Sequence, residues 1–472
     1  MYQINFAHPI HVYFMGIGGI SMSGLAEILL AEGFTVSGSD LRESPLTRSL
    51  TQKGAVIFYG QRAENLSPDY FLAHNLPVID LVVYTSAIKP DNPEYMAMCT
   101  LGLSSLSRAE LLGQIMQNYS MPIAVSGTHG KTSTTGMVSE ILLAANLDPT
   151  LSIGGILNSI NGNFRIGQSD FFVTEACEYT NSFLSFSPRI SMILNIEADH
   201  LDFFKDIDDI RQSFRRFAAL LPPDGTLIIN GNIDHSEIIT DGLSCRIITY
   251  GDDPSFDYSP SSISYDHLAR GTFILKRRND PDRCEQFTLG SKGEHNVYNS
   301  LAAIALADLL DVPSESVHQA LVSFTGTQRR FEEKGTRNGI TIIDDYAHHP
   351  TEITATLKTA QNYPHKKIWC VFQPHTYSRT KAFLDDFASA LSLADKVILP
   401  DIYAAREKDT LGISSGDLMT AIKNLGTDCF YFPTTNGFTE IEQFIINNCE
   451  ENDLLITMGA GDVVKIGESL LQ

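Results

Sequence analysis

The stretch MPIAVSGTHGKTSTTGMVSEILLAAN, residues 121–146, decides the fold class. It opens with an apolar run typical of a buried β-strand, continues through a turn bounded by Gly127 and Gly130, and ends in a helical segment. Backbone N–H groups of such a turn, together with the helix N-terminus, bind phosphate. Lys131 adds a positive charge, and Thr132 adds a hydroxyl that can bind Mg²⁺. The order strand, glycine loop and helix therefore predicts a phosphate-binding loop in an α/β protein.

This loop is shorter than the pattern GxxxxGK[ST], because Val125 stands where that pattern has its first glycine. The order of elements still favours phosphate binding over the alternative, an ordinary glycine turn beside an exposed lysine. The candidate phosphate-binding residues of the loop are Gly127, Thr128, His129, Gly130, Lys131, Thr132 and Ser133.

Strand-like runs alternate with helical stretches along most of the chain, which is typical of α/β proteins with mostly parallel sheets. The 472 residues are enough for about three domains. One new strand and loop begin after a helical stretch near residue 119, and another strand follows a polar, Gly- and Arg-rich stretch near residue 328. We therefore predict three domains, with residues 1–118, 119–327 and 328–472.

The composition excludes several classes of function. Acidic residues outnumber basic ones by 56 to 34, and the formal charge of −22 disfavours nonspecific binding to nucleic acid or an anionic membrane. The sequence has neither an apolar run of about 18 residues nor a recognisable secretion signal. Its cysteines form no CxxC pair, which predicts reduced thiols. We expect a cytoplasmic protein without a membrane span, and its oligomeric state stays open.

A second glycine-rich loop, GIGGIS at residues 16–21, follows the strand-like run HVYFM. Ser21 replaces the third glycine of the dinucleotide fingerprint, whereas Asp40 lies at the end of the next strand-like run, where a ribose ligand is expected. The pattern predicts a diphosphate cradle that need not hold NAD, and the alternative is a purely structural turn. The candidate residues are Gly16, Gly18, Gly19 and Asp40.

A candidate metal site combines Thr132 with Glu175 and His200. Glu175 ends the strand-like run FFVTEACE, and His200 follows the run ISMILNIEADH. The carboxyl ends of strands form the edge at which α/β sheets bind ligands, so we expect both side chains to bind or orient Mg²⁺. Taken singly, each could instead be a solvated strand end. Cys177 is interpreted as a buried thiol without chemistry.

Polar clusters mark the predicted third domain. Asp345 ends the strand-like run ITIIDD and His348 follows it, just before the helical stretch PTEITATLKTAQ, while His375 and Arg379 follow the next strand-like run. Because two such clusters occur at successive strand ends, we predict a site there rather than isolated core or surface histidines.

Two further candidates lie before this domain. Asn296, in a helical stretch, carries an amide that can bind a base edge, although helix capping is an alternative. Arg330, near the second boundary, carries a guanidinium that can reach a phosphate, although a solvated hinge residue is an alternative.

The motifs along the chain resemble those of the Mur ligases, in all three predicted domains and in order: GIGGISMSGLA, SGTHGKTSTT, NIEADHLD, HNVYNSLAA, RRFE, DDYAHHPTEI and FQPHTYSRT. The resemblance implies an N-terminal Rossmann-like UDP-binding domain, a central P-loop ATPase-type α/β domain and a C-terminal Rossmann-like α/β domain. It implies an ATP- and Mg²⁺-dependent ligase that joins L-alanine to the carboxylate of UDP-N-acetylmuramate through an acyl phosphate, in peptidoglycan precursor synthesis.

The resemblance also implies roles for individual residues. The first domain would hold the UDP-sugar. The catalytic residues would be Lys131, Glu175, His200 and Arg379. Further nucleotide contacts would come from Asn296, Arg330 and Asp345. The incoming alanine would face His348, His375 and Arg379.

This sequence departs from the family at two positions. Thr376 stands where some relatives have a second arginine, and Cys177 stands where relatives often have aspartate. In addition, residues 213–217 contain no lysine, whereas Mur ligases that add later residues carry there a lysine that reacts with CO₂ to give a carbamate. Arginine cannot replace that lysine, because a guanidinium stays protonated. We therefore expect a second Mg²⁺ to rely on His200, substrate oxygens and water.

Three alternatives stay open at this point. A cell-wall recycling ligase that adds a tripeptide to the same sugar shares these motifs. An NAD-dependent oxidoreductase would use the N-terminal glycine loop, although Ser21 and the separate phosphate loop count against it. A nucleotide-switch protein would bind or hydrolyse ATP without needing a UDP-sugar.

Overall fold

The computed structural model describes residues 3–85, 87–405, 407–435 and 437–472. In these residues three separate sheets follow one another along the chain, and their strands are mostly parallel. This arrangement confirms the predicted three-part α/β fold. The proposed domain boundaries, at 118/119 and 327/328, fall between the sheets. Within the described part of the chain, no helix combines the length and apolar character that crossing a bilayer requires.

The first sheet is parallel and consists of β1 (His11–Met15), β2 (Thr35–Asp40), β3 (Val56–Tyr59), β4 (Leu81–Tyr84) and β5 (Ser105–Ser107). Its helices are α1 (Ile20–Ala31), α2 (Pro45–Gln52), α3 (Pro68–Ala73), α4 (Pro93–Leu101) and α5 (Arg108–Met116). The strand order is β3-β2-β1-β4-β5. The order reverses at β1, so the loop after β1 lies where such sheets bind ligands.

The middle sheet contains β6 (Met121–Ser126), β7 (Thr150–Leu157), β8 (Gly162–Arg165), β9 (Phe171–Ala176), β10 (Ile190–Ile193), β11 (Thr226–Asn230), β12 (Arg246–Tyr250), β13 (Tyr258–Tyr265), β14 (Arg270–Arg277) and β15 (Asp280–Lys292). Its helices are α6 (Lys131–Ala144), α7 (Ile207–Ala218), α8 (Ser236–Thr240), α9 (Glu294–Leu309) and α10 (Ser314–Ser323). The order is β15-β14-β13-β12-β11-β10-β6-β9-β7-β8, with antiparallel hairpins at both edges. Because β6 lies between β10 and β9, the segments that follow these three parallel strands open at one edge of the sheet.

The third sheet contains β16 (Glu332–Arg337), β17 (Ile340–Asp345), β18 (Ile368–Phe372), β19 (Lys396–Leu399), β20 (Asp428–Tyr431) and β21 (Leu454–Met458). Its helices are α11 (Pro350–Gln361), α12 (Tyr377–Ala382), α13 (Leu384–Leu391), α14 (Ser415–Asn424), α15 (Thr439–Asn448) and α16 (Val464–Leu471). In the order β16-β17-β21-β18-β19-β20, β21 separates the two strands that carry the predicted polar clusters. The clusters therefore follow strands that are successive in sequence but not adjacent in the sheet.

The first and middle units share one hydrophobic core. Val12 and Phe14 on one face of β1 belong to the same buried cluster as Phe183 and Phe214 of the middle unit. The fit is close at Gly113 in α5, where an added Cβ would lie 1.8 Å from the carbonyl oxygen of Ser185. The two units are consequently packed as one body at this interface.

Candidate active site

The phosphate loop has the backbone that the sequence predicts. It joins β6 to α6, and both of its glycines have positive φ, +150° at Gly127 and +79° at Gly130. Such values favour glycine, because a Cβ is strained there. A Cβ at Gly130 would also lie 2.7 Å from Oδ1 of Asn299.

Lys131 folds back over its own loop. Its Nζ donates to the carbonyl oxygens of Gly127 and Thr128, and it forms an ion pair of 3.1 Å with Oε2 of Glu178. Burial alone would lower the pKa of Lys131, but the Glu178 carboxylate raises it above its usual value. The lysine is therefore a cation held within the loop, at the place where a nucleotide phosphate would need it.

Thr132 and Glu175 lie together, as the predicted metal site requires. The Thr132 hydroxyl donates to Oε2 of Glu175 over 3.2 Å, and the backbone N–H of Gly154 donates to Oε1 over 2.5 Å. Burial raises the pKa of the Glu175 carboxyl. A hydroxyl beside a partly buried carboxylate is a set of oxygen donors that suits Mg²⁺.

His200 lies close to this pair but not within it. Its backbone has a positive φ of +52°, and its ring stacks on Tyr179 with 4.5 Å between centroids. Its Nε2 lies 3.7 Å from Oδ2 of Asp199 and 3.9 Å from Oε1 of Glu178. Two carboxylates therefore surround the imidazole at distances longer than a hydrogen bond.

A cavity of about 310 Å³ is lined by seven of the ten residues predicted to bind the nucleotide, but not by Gly127, Thr128 or Lys131. It is lined by His129, Gly130, Thr132, Ser133, Asn296, Arg330 and Asp345 among others. Asp345 accepts from the backbone N–H groups of Phe331 and Ala347. Burial raises the pKa of Asp345 to about 6. The amide of Asn296 donates to the Lys292 carbonyl and accepts from Asn299, so it also stabilises the start of α9.

A second cavity, of about 680 Å³, brings together the three residues predicted to face the amino acid. His348, His375 and Arg379 line it together with His200 and Asp199. Burial lowers the pKa of both His348 and His375 to about 4, so both imidazoles are neutral near pH 7.

Arg379 is fixed across the boundary between the middle and third units. Its Nη2 and Nε donate to Oδ1 of Asp199, at 2.8 and 3.3 Å, and both side chains are about one-tenth exposed or less. The helix that carries Arg379 begins after Thr376, whose φ is +65° and whose hydroxyl accepts from the Arg379 backbone N–H. The sequence reasoning selected Arg379 but missed Asp199, which lies 180 residues away.

A third cavity, of about 480 Å³, is lined by residues from all three units. Ile20 at the start of α1 faces the phosphate-loop residues, and Tyr346 and His348 contribute from the third unit. Glu175, His200 and Arg330 line the same space. The predicted UDP-sugar loop is thus adjacent to the phosphate loop.

In the first glycine loop, residues 16–21, one backbone N–H group is already hydrogen-bonded to Asp40 at the end of β2. Oδ2 of Asp40 accepts from the N–H of Gly18 over 2.9 Å, and a Cβ at Gly18 would lie 2.7 Å from the same oxygen. Gly16 has a φ of +76°, and Gly19 precedes the first residue of α1. The loop therefore exposes fewer backbone donors than the sequence pattern suggests.

His129 links the middle and third units. Its Nδ1 lies 3.2 Å from Glu352 and its Nε2 lies 3.5 Å from Glu197, whose carboxylate also accepts from the Thr351 hydroxyl over 2.6 Å. Burial opposes protonation, but the two carboxylates raise the pKa of His129 to about 9. The sequence reasoning missed Glu197 and Glu352, although both lie inside motifs that it selected.

The residues His129, Glu197 and His349 place ligand atoms within 4.8 Å of one another, close enough to share a metal ion. However, His129 is paired with two carboxylates, and Nε2 of His349 hydrogen-bonds the Ala198 carbonyl over 3.2 Å. We interpret this group as an ion-paired polar contact between two units rather than as a metal site.

Family models match most of the chain. The Mur ligase family catalytic domain matches residues 11–120, the Mur ligase middle domain matches 125–307, and the Mur ligase glutamate ligase domain matches 329–461.

Individual proteins are similar along their whole length. The UDP-N-acetylmuramate–L-alanine ligases of Lachnospira eligens and Agathobacter rectalis are each 58% identical to this chain, with 100% of both sequences covered. The crystal structure of the UDP-N-acetylmuramate–alanine ligase from Thermotoga maritima is similar with a TM-score of 0.79, 28% identity and 98% of each chain covered. A murein peptide ligase from Psychrobacter arcticus reaches a TM-score of 0.69 at 26% identity, again over 98% of each chain. With its fold, its motifs and these matches in agreement, the chain belongs to the Mur ligase family.

Proposed function

We propose that this protein is an ATP-dependent ligase that joins L-alanine to the carboxylate of UDP-N-acetylmuramate, a step in peptidoglycan precursor synthesis. One observation carries the proposal: a single cavity is lined by the start of α1, by the phosphate loop and by His348 of the third unit. An enzyme that joins two substrates at the expense of a third must bind all three next to one another. The two relatives at 58% identity are named for this reaction.

The chemistry explains why ATP is needed. A carboxylate resists attack by an amine, because it is anionic and its oxygen is a poor leaving group. Transfer of the γ-phosphoryl group to a carboxylate oxygen gives an acyl phosphate and ADP. The amine of alanine then attacks the acyl carbon, forms the amide bond and expels inorganic phosphate together with a proton.

Lys131 stabilises the phosphoryl group during the first step. It leaves the carbonyl oxygens of Gly127 and Thr128 and contacts the phosphates, as a positive charge placed where negative charge develops. Arg330 lines both the nucleotide cavity and the cavity shared by the three units, so its guanidinium is placed to assist at a phosphate.

Thr132 and Glu175 fit a bound Mg²⁺, because their oxygens are 3.2 Å apart and a hydroxyl and a carboxylate are both oxygen ligands. Mg²⁺ would lower the electrostatic repulsion between the carboxylate of the sugar and the ATP phosphates. His200, which lines the same cavity as both, is proposed to hold a second ion.

Arg379 and the two neutral histidines would receive the amino acid. The guanidinium binds the alanine carboxylate, while Asp199 keeps it in position. Nδ1 of His348 contacts the Tyr346 carbonyl, which only accepts, so Nδ1 carries the proton and Nε2 is an acceptor suited to the amine.

A second candidate is a ligase that adds a tripeptide to the same sugar. The volume of the amino-acid cavity, about 680 Å³, is large for alanine alone, and the murein peptide ligase from Psychrobacter arcticus has a similar fold. The 58% identity to proteins named for alanine favours alanine.

The test is phosphate release from ATP with UDP-N-acetylmuramate and, in turn, alanine, serine, glycine and the tripeptide. We expect the highest kcat/KM for alanine, with the amide product identified by its mass. Preference for the tripeptide would support the second candidate. Phosphate release that needs no UDP-sugar would support a nucleotide switch instead and contradict both ligase functions.

A further inference from the structure

Glu178 is a buried carboxylate that the proposed reaction has not used. It lies two residues after β9, and its exposed fraction is 2%. The segment that follows it, Tyr179–Ser185, contacts α5 at Gly113, where an added Cβ would lie 1.8 Å from the carbonyl oxygen of Ser185. Glu178 therefore lies directly before a segment that contacts the first unit.

The two oxygens of Glu178 have different surroundings. Oε2 pairs with Nζ of Lys131 at 3.1 Å. Oε1 lies 3.9 Å from Nε2 of His200, and among the described residues it has no hydrogen-bond partner. A buried carboxylate oxygen without a partner is unfavourable, so a missing ligand at this oxygen would explain its placement.

The distance between the oxygen and the imidazole suits a shared cation. Ligand atoms of octahedral Mg²⁺ lie about 2.1 Å from the ion, so neighbouring ones are about 3.0 Å apart and opposite ones about 4.2 Å apart. The separation of 3.9 Å is too long for a direct hydrogen bond and lies between these two values, so a small movement of either side chain brings both atoms onto one ion.

The charge balance points the same way. When Lys131 moves to the phosphates of a bound nucleotide, Glu178 loses its counter-ion and gains anionic phosphate nearby. A buried carboxylate beside phosphate is strongly unfavourable without a cation. A divalent ion between Glu178 and His200 restores the balance.

We propose that Glu178 is a protein ligand of the second cation, shared with His200, and that it becomes available when Lys131 moves to the nucleotide. The proposal rests on the proposed function for the presence of that second cation. It extends the expectation that this ion relies on His200, substrate oxygens and water, by adding one carboxylate from the chain itself.

The test counts Mn²⁺ ions in the full-length protein saturated with a non-hydrolysable ATP analogue and UDP-N-acetylmuramate, with free Mn²⁺ followed by electron paramagnetic resonance. We expect two ions in the natural protein. Glu178→Gln should bind the first ion normally and the second at least about tenfold more weakly. Glu94→Gln, which changes an equally buried carboxylate in the first unit, should keep both. This count does not depend on turnover, so it is separate from the assay of the ligase function.

A role of Glu178 in positioning Lys131 alone predicts a different ion count. If Glu178 only positions Lys131, Glu178→Gln will weaken nucleotide binding but keep two Mn²⁺ ions at unchanged affinity once saturated, and the proposal is then wrong. Circular dichroism and the unfolding temperature check that the variant is folded. Glu178→Asp, which keeps the charge on a shorter side chain, provides the second variant and should retain the second ion with reduced affinity. Unchanged affinity in both variants would also overturn the proposal.

Discussion

The two glycine-rich loops of this chain share a backbone design but differ in their charged surroundings. Both connect a parallel strand to a helix, and Gly16 and Gly130 have nearly the same positive φ, +76° and +79°. The middle loop carries Lys131, which is paired with the buried carboxylate of Glu178, whereas residues 16–21 include no charged side chain. Glycine therefore sets the shape of both loops, and the charges decide which loop can support phosphoryl transfer.

The sharpest test of this difference is Lys131→Ala. We expect the rate of ligation to fall on the order of 10²-fold or more, because a preorganised cation is lost from the phosphate site. Lys205→Ala is the matched control, since that side chain is 87% exposed, and it should leave the rate unchanged. Near-normal turnover of a folded Lys131→Ala protein would contradict the assignment of the phosphate loop.

Arg379→Ala separates the amino-acid side from the nucleotide side. Loss of a charge-assisted contact with a carboxylate should raise the KM for alanine about 10- to 100-fold, with a much smaller change for ATP. Lys381→Ala, on the same helix, should change neither value. If Arg379→Ala changed the KM values for alanine and ATP equally, Arg379 would be assigned to nucleotide binding instead.

Gly18→Ala tests the first loop. The new Cβ would lie 2.7 Å from Oδ2 of Asp40, so Asp40 or the loop must shift, and we expect the KM for UDP-N-acetylmuramate to rise about tenfold while that for ATP stays constant. Gly162→Ala is the control, because its Cβ would meet only contacts of 3.8 Å or more. In thermal-shift measurements the natural protein should be stabilised by UDP-N-acetylmuramate and not by NAD. Stabilisation by NAD would revive the oxidoreductase interpretation.

The charged network beside the middle loop predicts a dependence of stability on pH. The folded protein raises the pKa of His129 from 6.5 to about 9, so it binds more protons than the unfolded chain between these values. The contribution is complete below pH 6.5 and is lost as the pH rises through about 9. Between pH 6.5 and 9, the free energy of unfolding should fall by about 1 kcal/mol or more on this account. In His129→Gln, the midpoint of urea unfolding should depend less on pH across this range. In His235→Gln, at an exposed site, the dependence should stay as in the natural protein. An unchanged slope in His129→Gln would show that other groups titrate.

The last prediction is that the rate of ligation does not depend on CO₂. Residues 213–217 on α7 contain no lysine, and the Ser213 and Arg216 side chains both donate to Asn181. Removing bicarbonate and CO₂ from the buffer should therefore leave the rate of ligation unchanged. A rate that depends on CO₂ would indicate a carbamate and would weaken the choice of alanine as substrate.

Short sequence patterns predicted individual strands and helices correctly. The sequence ITIIDD forms β17, and PTEITATLKTAQ forms α11, because the first is a short apolar run and the second begins with proline after a capping histidine. The same signals predicted the phosphate loop, where a glycine turn, a lysine and a hydroxyl are consecutive. Information of this kind lies within a few residues and needs no knowledge of the remaining chain.

Contacts between distant segments could not be predicted in this way. Asp199 and Arg379 meet only because the middle and third units are packed together. The pairing of Glu178 with Lys131 depends on two strands that are neighbours in the sheet but 50 residues apart. The insertion of β21 between β17 and β18 comes from a strand near the end of the chain. Each of these follows from packing and sheet order, which a single sequence does not reveal.

The central claim, that ATP activates the carboxylate of the sugar, is tested most directly by an isotope. UDP-N-acetylmuramate labelled with ¹⁸O in its carboxylate is converted with ATP and alanine, and the released phosphate is analysed by mass spectrometry. If an acyl phosphate forms, one carboxylate oxygen leaves with the phosphate, so each molecule of phosphate should carry one ¹⁸O atom. Phosphate free of ¹⁸O, formed while the amide product accumulates, would contradict the account.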